Sequence, residues 1–160
     1  MSHPLAIRSD LIDIVAPLIQ GRCLTSVERV TIRSPQAHRR AVYRLARYFR
    51  LEMGYDAVQY GFDGREDDPD HVAFLWVHPE GVGRGSGFRV PCVGACCFRL
   101  RDEGWALQWI WLHPYVRRQG LVSGMWPQFV EEFGDFAVEG PVSVAMRAFL
   151  AKCGHGGPIT

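Results

Sequence analysis

Arg117, Arg118 and Gln119 stand together just ahead of Gly120, between an apolar run ending at His113-Pro114 and a helical pattern opening at Leu121. At a helix start the first backbone N–H groups have no intrahelical acceptors, and the macrodipole adds partial positive charge. Both favour an anion there. The guanidinium forks of Arg117 and Arg118 suit phosphate oxygens, and Gln119 adds neutral donors. Gly120 has no Cβ, which allows close backbone approach. Together these residues describe a diphosphate cradle.

The elements that must hold this cradle follow from periodicity. Trp105–Leu112 is an apolar strand, joined through the tight turn Arg101–Gly104 to a strand over Phe88–Leu100 that has Pro91 near its start. His71–His78 is apolar enough for a sheet interior, and the glycine-rich stretch Gly81–Gly87 reads as a hairpin connection rather than a P-loop. These three segments form an antiparallel meander. After the cradle, Val122, Met125, Trp126, Phe129, Val130 and Phe133 recur at helical spacing, with Pro127 inside and Gly134 as the stop. Asp135–Gly140 is a short strand, and Ser143 leads into a last helix, Val144–Lys152.

Earlier in the chain, Glu28–Arg33 alternates as a short strand. Ser34 is read as an N-cap with Pro35 at the first helical position. Val42, Leu45, Phe49 and Met53 form the apolar stripe of the helix that follows, widened by Ala41 and Tyr48, and Gly54 ends it. Arg39, Arg40, Arg44, Arg47 and Arg50 are read as its solvated face, with an acidic partner as the other reading. The acidic loop Gly61–Asp70 is a solvated connection or an attractor of a cationic acceptor. Residues 4–19 show no clean period. A strand reached through a helix after a meander gives a mixed sheet with helices packed on it, an α/β arrangement of three layers.

The 160 residues favour one domain spanning residues 1–160. A net charge of +1 gives no broad reason to expect nucleic acid or a membrane surface as partner. No apolar run approaches the roughly 18 residues of a membrane span, and the start of the sequence does not read as a signal peptide. Five cysteines at irregular spacing, Cys23, Cys92, Cys96, Cys97 and Cys153, fit reduced thiols in a cytoplasmic protein better than disulfides, and they do not match a zinc site.

Leu112 to Val122 resembles the signature of the GNAT superfamily of N-acetyltransferases: a strand ending in an apolar–x–Pro step, then Arg/Gln-x-x-Gly-x-Gly/Ala opening a helix. Arg117 falls on its first position and Gly120 on its glycine, whereas Val122 stands where Gly or Ala is usual. The similarity extends over roughly Val30 to Gly154 in the order of elements, and the segment Ser143 to Gly154 is similar to the family's last helix. The paired arginines and the closing Cys-Gly also resemble the branch that acetylates cohesin, although that branch's zinc finger is missing here.

The resemblance implies a GNAT-like fold: a mostly antiparallel central sheet with a parallel, splayed strand pair and flanking helices. It implies acetyl-CoA as cosubstrate and no metal. Backbone groups of Ile110, Trp111 and Leu112 would pair with the pantetheine amides. Arg117, Arg118, Gln119, Gly120, Leu121, Val122 and Ser123 would take the pyrophosphate. Many members use a glutamate on the motif strand as base and a tyrosine in the last helix as acid. Here that strand offers Gln108, and Phe149 stands at the tyrosine position.

Acetyl transfer needs a neutral amine, a donor for the tetrahedral oxyanion and a proton for the CoA thiolate. Substitutes for the usual groups are Glu139 as base, His113 at the end of the motif strand, and Ser143 as a proton relay. A backbone N–H on the splayed strand is expected to hold the oxyanion. The acceptor is an amine of a small molecule or protein, cationic before reaction, and a homodimer is left open. Two alternatives stand beside an active N-acetyltransferase. One is a catalytically inactive GNAT-fold acyl-CoA-binding or interaction module, and the other is an unrelated α/β domain whose arginines bind another anion.

Overall fold

A computed structural model describes residues 7–8, 13–20, 26–61, 69–78 and 89–160, with the side chains of 7, 8, 13, 14 and 20 left aside. The acidic loop over 62–68 and the glycine-rich turn over 81–87 lie outside the described residues. The elements are β1 (Ile7–Arg8), β2 (Asp13–Ile14), β3 (Leu18–Gln20), β4 (Val27–Val30), α1 (Gln36–Met53) and β5 (His71–Val77). They continue with β6 (Arg89–Arg101), β7 (Gly104–Leu112), α2 (Leu121–Phe133), β8 (Ala137–Val138) and α3 (Val144–Cys153). A short 3-10 turn, Pro114–Val116, links β7 to the segment before α2.

The six-stranded sheet runs β4-β5-β6-β7-β8, with β3 pairing the start of β6. All pairs are antiparallel except β7 with β8. The meander is therefore as expected, and the strand reached through α2 returns parallel because it crosses over a helix. Alternation divides β5 cleanly. Val72, Phe74 and Trp76 join the side chains of α2 and α3 on one face, and Ala73, Leu75 and Val77 pack under α1 on the other. Both faces are covered, which explains why β5 reads as a continuous apolar run. No helix among the described residues is long and apolar enough to cross a membrane.

The α2 face is a cluster of aromatic rings. Phe98 stacks on Phe133 with ring centroids 4.1 Å apart, and Phe129 sits 5.0 Å from both Phe74 and Phe98. The α1 face uses small residues instead. Ala41 and Ala46 of the helix meet Ala73, Ala95 and Cys97 of the sheet, all buried. Cys92, Cys96 and Cys97 are thus packing residues divided between the two faces.

Two bulges set which side chains face which layer. Trp76 pairs with Gly94 but Val77 with Cys92, so Val93 is extra in β6. Cys97 pairs with Trp109 but Phe98 with Leu107, so Gln108 is extra in β7. The second bulge reverses the alternation of β7. Trp105 and Leu107 pack on the α2 side, whereas Trp109 and Trp111 pack on the α1 side. Without it, the three tryptophans would share one face.

Several local expectations change. Ser34 does not cap α1: its Oγ accepts from the Thr31 N–H at 2.9 Å, and the helix begins after Pro35. Arg39 lies buried instead of on the solvated face, while Arg40, Arg44 and Arg47 are exposed. The strand expected over 135–140 is only Ala137–Val138. Ser143 does cap α3, its Oγ accepting from Met146 N–H at 3.1 Å.

Candidate functional site

β7 and β8 are joined for a short distance only. The ladder holds at Ala106↔Ala137 and Leu107↔Val138, and the Glu139 N–H reaches the Leu107 carbonyl at 2.9 Å. Beyond that point the two chains separate, and a cavity of about 510 Å³ opens between them. Its walls are Gln108–Leu112 from β7, Glu139 and Pro141–Ser143 after β8, and Ala145, Met146 and Phe149 from α3. Phe49, Glu52 and Met53 at the end of α1 close one side. Arg117, Arg118 and Gly120–Ser123 close the other.

The turn before α2 has an unusual backbone. Arg118 has φ 62° and Gly120 has φ 77°, both left-handed. A non-glycine residue held there costs about 1–2 kcal/mol, so the surrounding chain must enforce it. A Cβ on Gly120 would meet nothing within 4 Å. The left-handed dihedral angle by itself calls for glycine at this position. The first residues of α2 line the cavity, and their backbone N–H groups have no intrahelical acceptors.

Arg117 does not stand free for an anion. Its Nη1 and Nη2 donate to the two carboxylate oxygens of Glu52 at 2.8 and 2.7 Å, and its Nε donates to the Leu112 carbonyl at 2.8 Å. The Trp111 indole N–H donates to the same Glu52 carboxylate at 2.6 Å, and the guanidinium lies 5.7 Å from the Trp111 ring centroid. Burial pushes the Glu52 carboxyl up, but hydrogen bonds from Arg117 and Trp111, with the charge of Arg117, outweigh it and hold the carboxyl below its ordinary value. Arg118 is exposed and has no ion-pair partner among the described residues, so it is the cation this turn offers a ligand.

The residues expected to bind a cofactor line this cavity with one exception. Ile110, Trp111, Leu112, Arg117, Arg118, Gly120, Leu121, Val122 and Ser123 are all present. Gln119 is turned back, its Nε2 donating to the Tyr115 carbonyl at 2.9 Å. The Leu112 carbonyl already accepts from Arg117 Nε, which leaves it one lone pair for a ligand amide.

Of the catalytic candidates, Glu139 and Ser143 line the cavity. Glu139 is ion-paired with Arg101 and keeps 18% of its side chain exposed. Ser143 uses an acceptor lone pair for the cap, which leaves its O–H to donate. His113 is not brought to the cavity. It is fully buried, and its Nδ1 accepts from the Tyr115 N–H at 3.2 Å to start the 3-10 turn.

Sequence reasoning missed Glu52, although one signal was there: it is the single carboxylate on an arginine-rich helix, next to the apolar end of its stripe. It also missed His71, whose Nε2 lies 2.8 Å from Gln108 Oε1. Pairing across the sheet between residues so far apart left no local pattern to read.

No protein-family model matches the sequence, and a comparison with curated proteins finds no match. Among solved structures the chain is similar to the xEco2 acetyltransferase domain, in a complex with a CoA conjugate. That match has a TM-score of 0.57 and 12% identity, over 84% of this chain and 90% of that one. A ribosomal-protein-alanine N-acetyltransferase from Brucella melitensis biovar Abortus 2308 matches at a TM-score of 0.42 and 17% identity, over 79% of this chain and 87% of that one. The chain has a GNAT-like fold: a mixed sheet with one parallel strand pair, covered by helices on both faces.

Proposed function

We propose that this chain is an acetyl-CoA-dependent N-acetyltransferase, moving an acetyl group to an amine of a small molecule or a protein. One observation carries the reading. The gap between β7 and β8 opens after Leu107, and the left-handed turn and first residues of α2 line the same cavity. Strand edges without a ladder partner suit the amides of a pantetheine arm, and free helix N–H groups suit a diphosphate. The fold shared with an acetyltransferase domain supports it.

The lining fits acetyl-CoA part by part. Ile110, Leu112, Met146 and Phe149 offer apolar walls to the arm, and Leu121, Val122 and Ser123 offer backbone N–H groups to the diphosphate. Arg118 supplies the charge, because Glu52 already neutralises that of Arg117.

In the reaction the amine nitrogen attacks the thioester carbon, the C–N bond forms and the C–S bond breaks, and sulfur leaves as thiolate. Glu139 is the carboxylate placed to take the proton from the incoming ammonium. Arg101 holds it in one orientation. The Ser143 O–H is placed to hydrogen-bond the leaving sulfur. His113 takes no part in this scheme.

The test is release of CoA thiol against a panel of primary amines. Glu139→Gln is expected to lower kcat by about 10²–10⁴-fold, the usual contribution of a general base, with acetyl-CoA affinity kept. Binding without thiol release from any amine would favour the inactive acyl-CoA-binding module instead.

A further inference from the structure

A second, smaller hollow of about 190 Å³ adjoins the first on the α1 side, with Tyr55 and Gln59 in its wall. The two hollows share only Phe49, Gln108, Glu139 and Pro141. Two of those four side chains make hydrogen bonds, and their polarity is opposite. Glu139 is a carboxylate and only accepts. Gln108 has its amide oxygen engaged, 2.8 Å from His71 Nε2. An amide oxygen cannot donate, so His71 presents N–H to it, and what Gln108 has left to offer is its NH₂. That nitrogen bonds to no other group among the described residues.

Gln108 and Trp109 are consecutive yet both face the α1 side: Gln108 follows the alternation from Leu107, and the bulge turns Trp109 to the same side. Gln108 is 8% exposed, so its hydrogen bonds act in a largely water-excluded setting.

We infer that the Gln108 carboxamide, fixed by His71, is a side-chain donor to the carbonyl oxygen of the acyl group at the junction of the two hollows. This rests on the acetyl-CoA reading of the larger one. When the amine attacks, the carbonyl π electrons move onto oxygen, and the Gln108 N–H stabilises that charge. When the C–S bond breaks, the electrons return and the carbonyl re-forms as an amide. Gln108 neither gains nor loses a proton. A donor at this point also cannot hold an ammonium, which leaves the amine to Glu139 across the junction. His71 is a positioning residue: with its Nε2–H on the amide oxygen it keeps the NH₂ for the junction.

The experiment pairs a binding measurement with a spectroscopic one. Wild type, Gln108→Leu, His71→Phe and the double variant are titrated with acetyl-CoA, and the bound ¹³C=O-labelled thioester is read by infrared difference spectroscopy. The expected result is a carbonyl band at lower frequency on wild type than on Gln108→Leu, with acetyl-CoA affinity within about twofold. With an amine acceptor, Gln108→Leu should lose about 10²–10³-fold in kcat, the range for removing one oxyanion donor. His71→Phe should give a smaller loss that disappears in the Gln108→Leu background, which a purely structural role would not produce. An unchanged carbonyl band in Gln108→Leu, with acetyl-CoA still bound, overturns the Gln108 role and leaves the acetyl-CoA site standing. Additive losses in the double variant overturn the positioning role of His71. Absence of acetyl-CoA binding by wild type overturns the reading of the cavity itself, and this inference with it.

Discussion

Breaking the contact between Glu52 and Arg117 tests whether the end of α1 is bolted to the turn before α2. Two charge-assisted hydrogen bonds run in parallel at 2.8 and 2.7 Å, a geometry stronger than a single contact. The side chains are 38% and 40% exposed, so solvent screens them, and exposed pairs contribute only about 0.2–1 kcal/mol. Bidentate geometry places this one near the top of that range, at about 1 kcal/mol of coupling. The Trp111 indole N–H on the same carboxylate adds about 1 kcal/mol. Glu52→Ala should therefore cost about 2 kcal/mol, which for a chain of this length lowers Tm by about 4–8 °C. A double-mutant cycle of Glu52→Gln and Arg117→Gln, read by urea unfolding, should give a coupling of about 1 kcal/mol. The pH dependence has a fixed sign. Glu52 is held below its ordinary value in the folded chain, so its contribution is complete above the unfolded glutamate value of about 4.3 and is lost as acid protonates the folded carboxyl. The advantage of wild type over Glu52→Gln should thus be full at pH 7 and vanish on acidification. A coupling near zero, or an advantage that grows as the pH falls, would refute the reasoning.

Three other changes probe the frame around the cavity. Gly120→Ala should destabilise by about 1–2 kcal/mol in chemical denaturation, because φ 77° is left-handed, and Gly120→Asn should recover part of that loss. Gly94→Ala would place a Cβ 2.4 Å from Leu112 Cδ2 and 3.0 Å from the Trp111 carbonyl, costing about 1–3 kcal/mol. Adding Leu112→Ala to it should relieve only the first contact, so the pair should fall short of additivity. Ser143→Ala removes the cap of α3 and should cost about 1 kcal/mol by thermal unfolding, while Ser143→Asp should keep most of the stability.

Periodicity located the meander, α1, α2 and α3 to within a residue or two, since each buries a continuous apolar face. The cavity lining was legible for a related reason: residues Ile110–Leu112 and Gly120–Ser123 are consecutive in the chain, so a motif could display them together. What escaped was set by contacts between distant residues. The bulge at Gln108 leaves no mark in the strand pattern, because Trp105, Trp109 and Trp111 are all apolar whichever way they face. Arg117 reads as a phosphate ligand until Glu52, 65 residues earlier, is seen to fill its fork. His113 carries chemistry by type, yet burial and the Tyr115 N–H give it to the turn instead. Arg39 followed the same course, since helical spacing alone could not show which layer covers its side of α1.

The central claim is that the gap between β7 and β8 binds acetyl-CoA, and thermal unfolding with added ligand addresses it most directly. A ligand at 100 times its Kd stabilises the folded state by about 2.7 kcal/mol. For this chain that corresponds to a rise in Tm of about 5–10 °C. Acetyl-CoA should produce this shift and acetate should not. Gly120→Ala, which disturbs the turn at the head of α2, should weaken it. An unchanged Tm at millimolar acetyl-CoA would contradict the account.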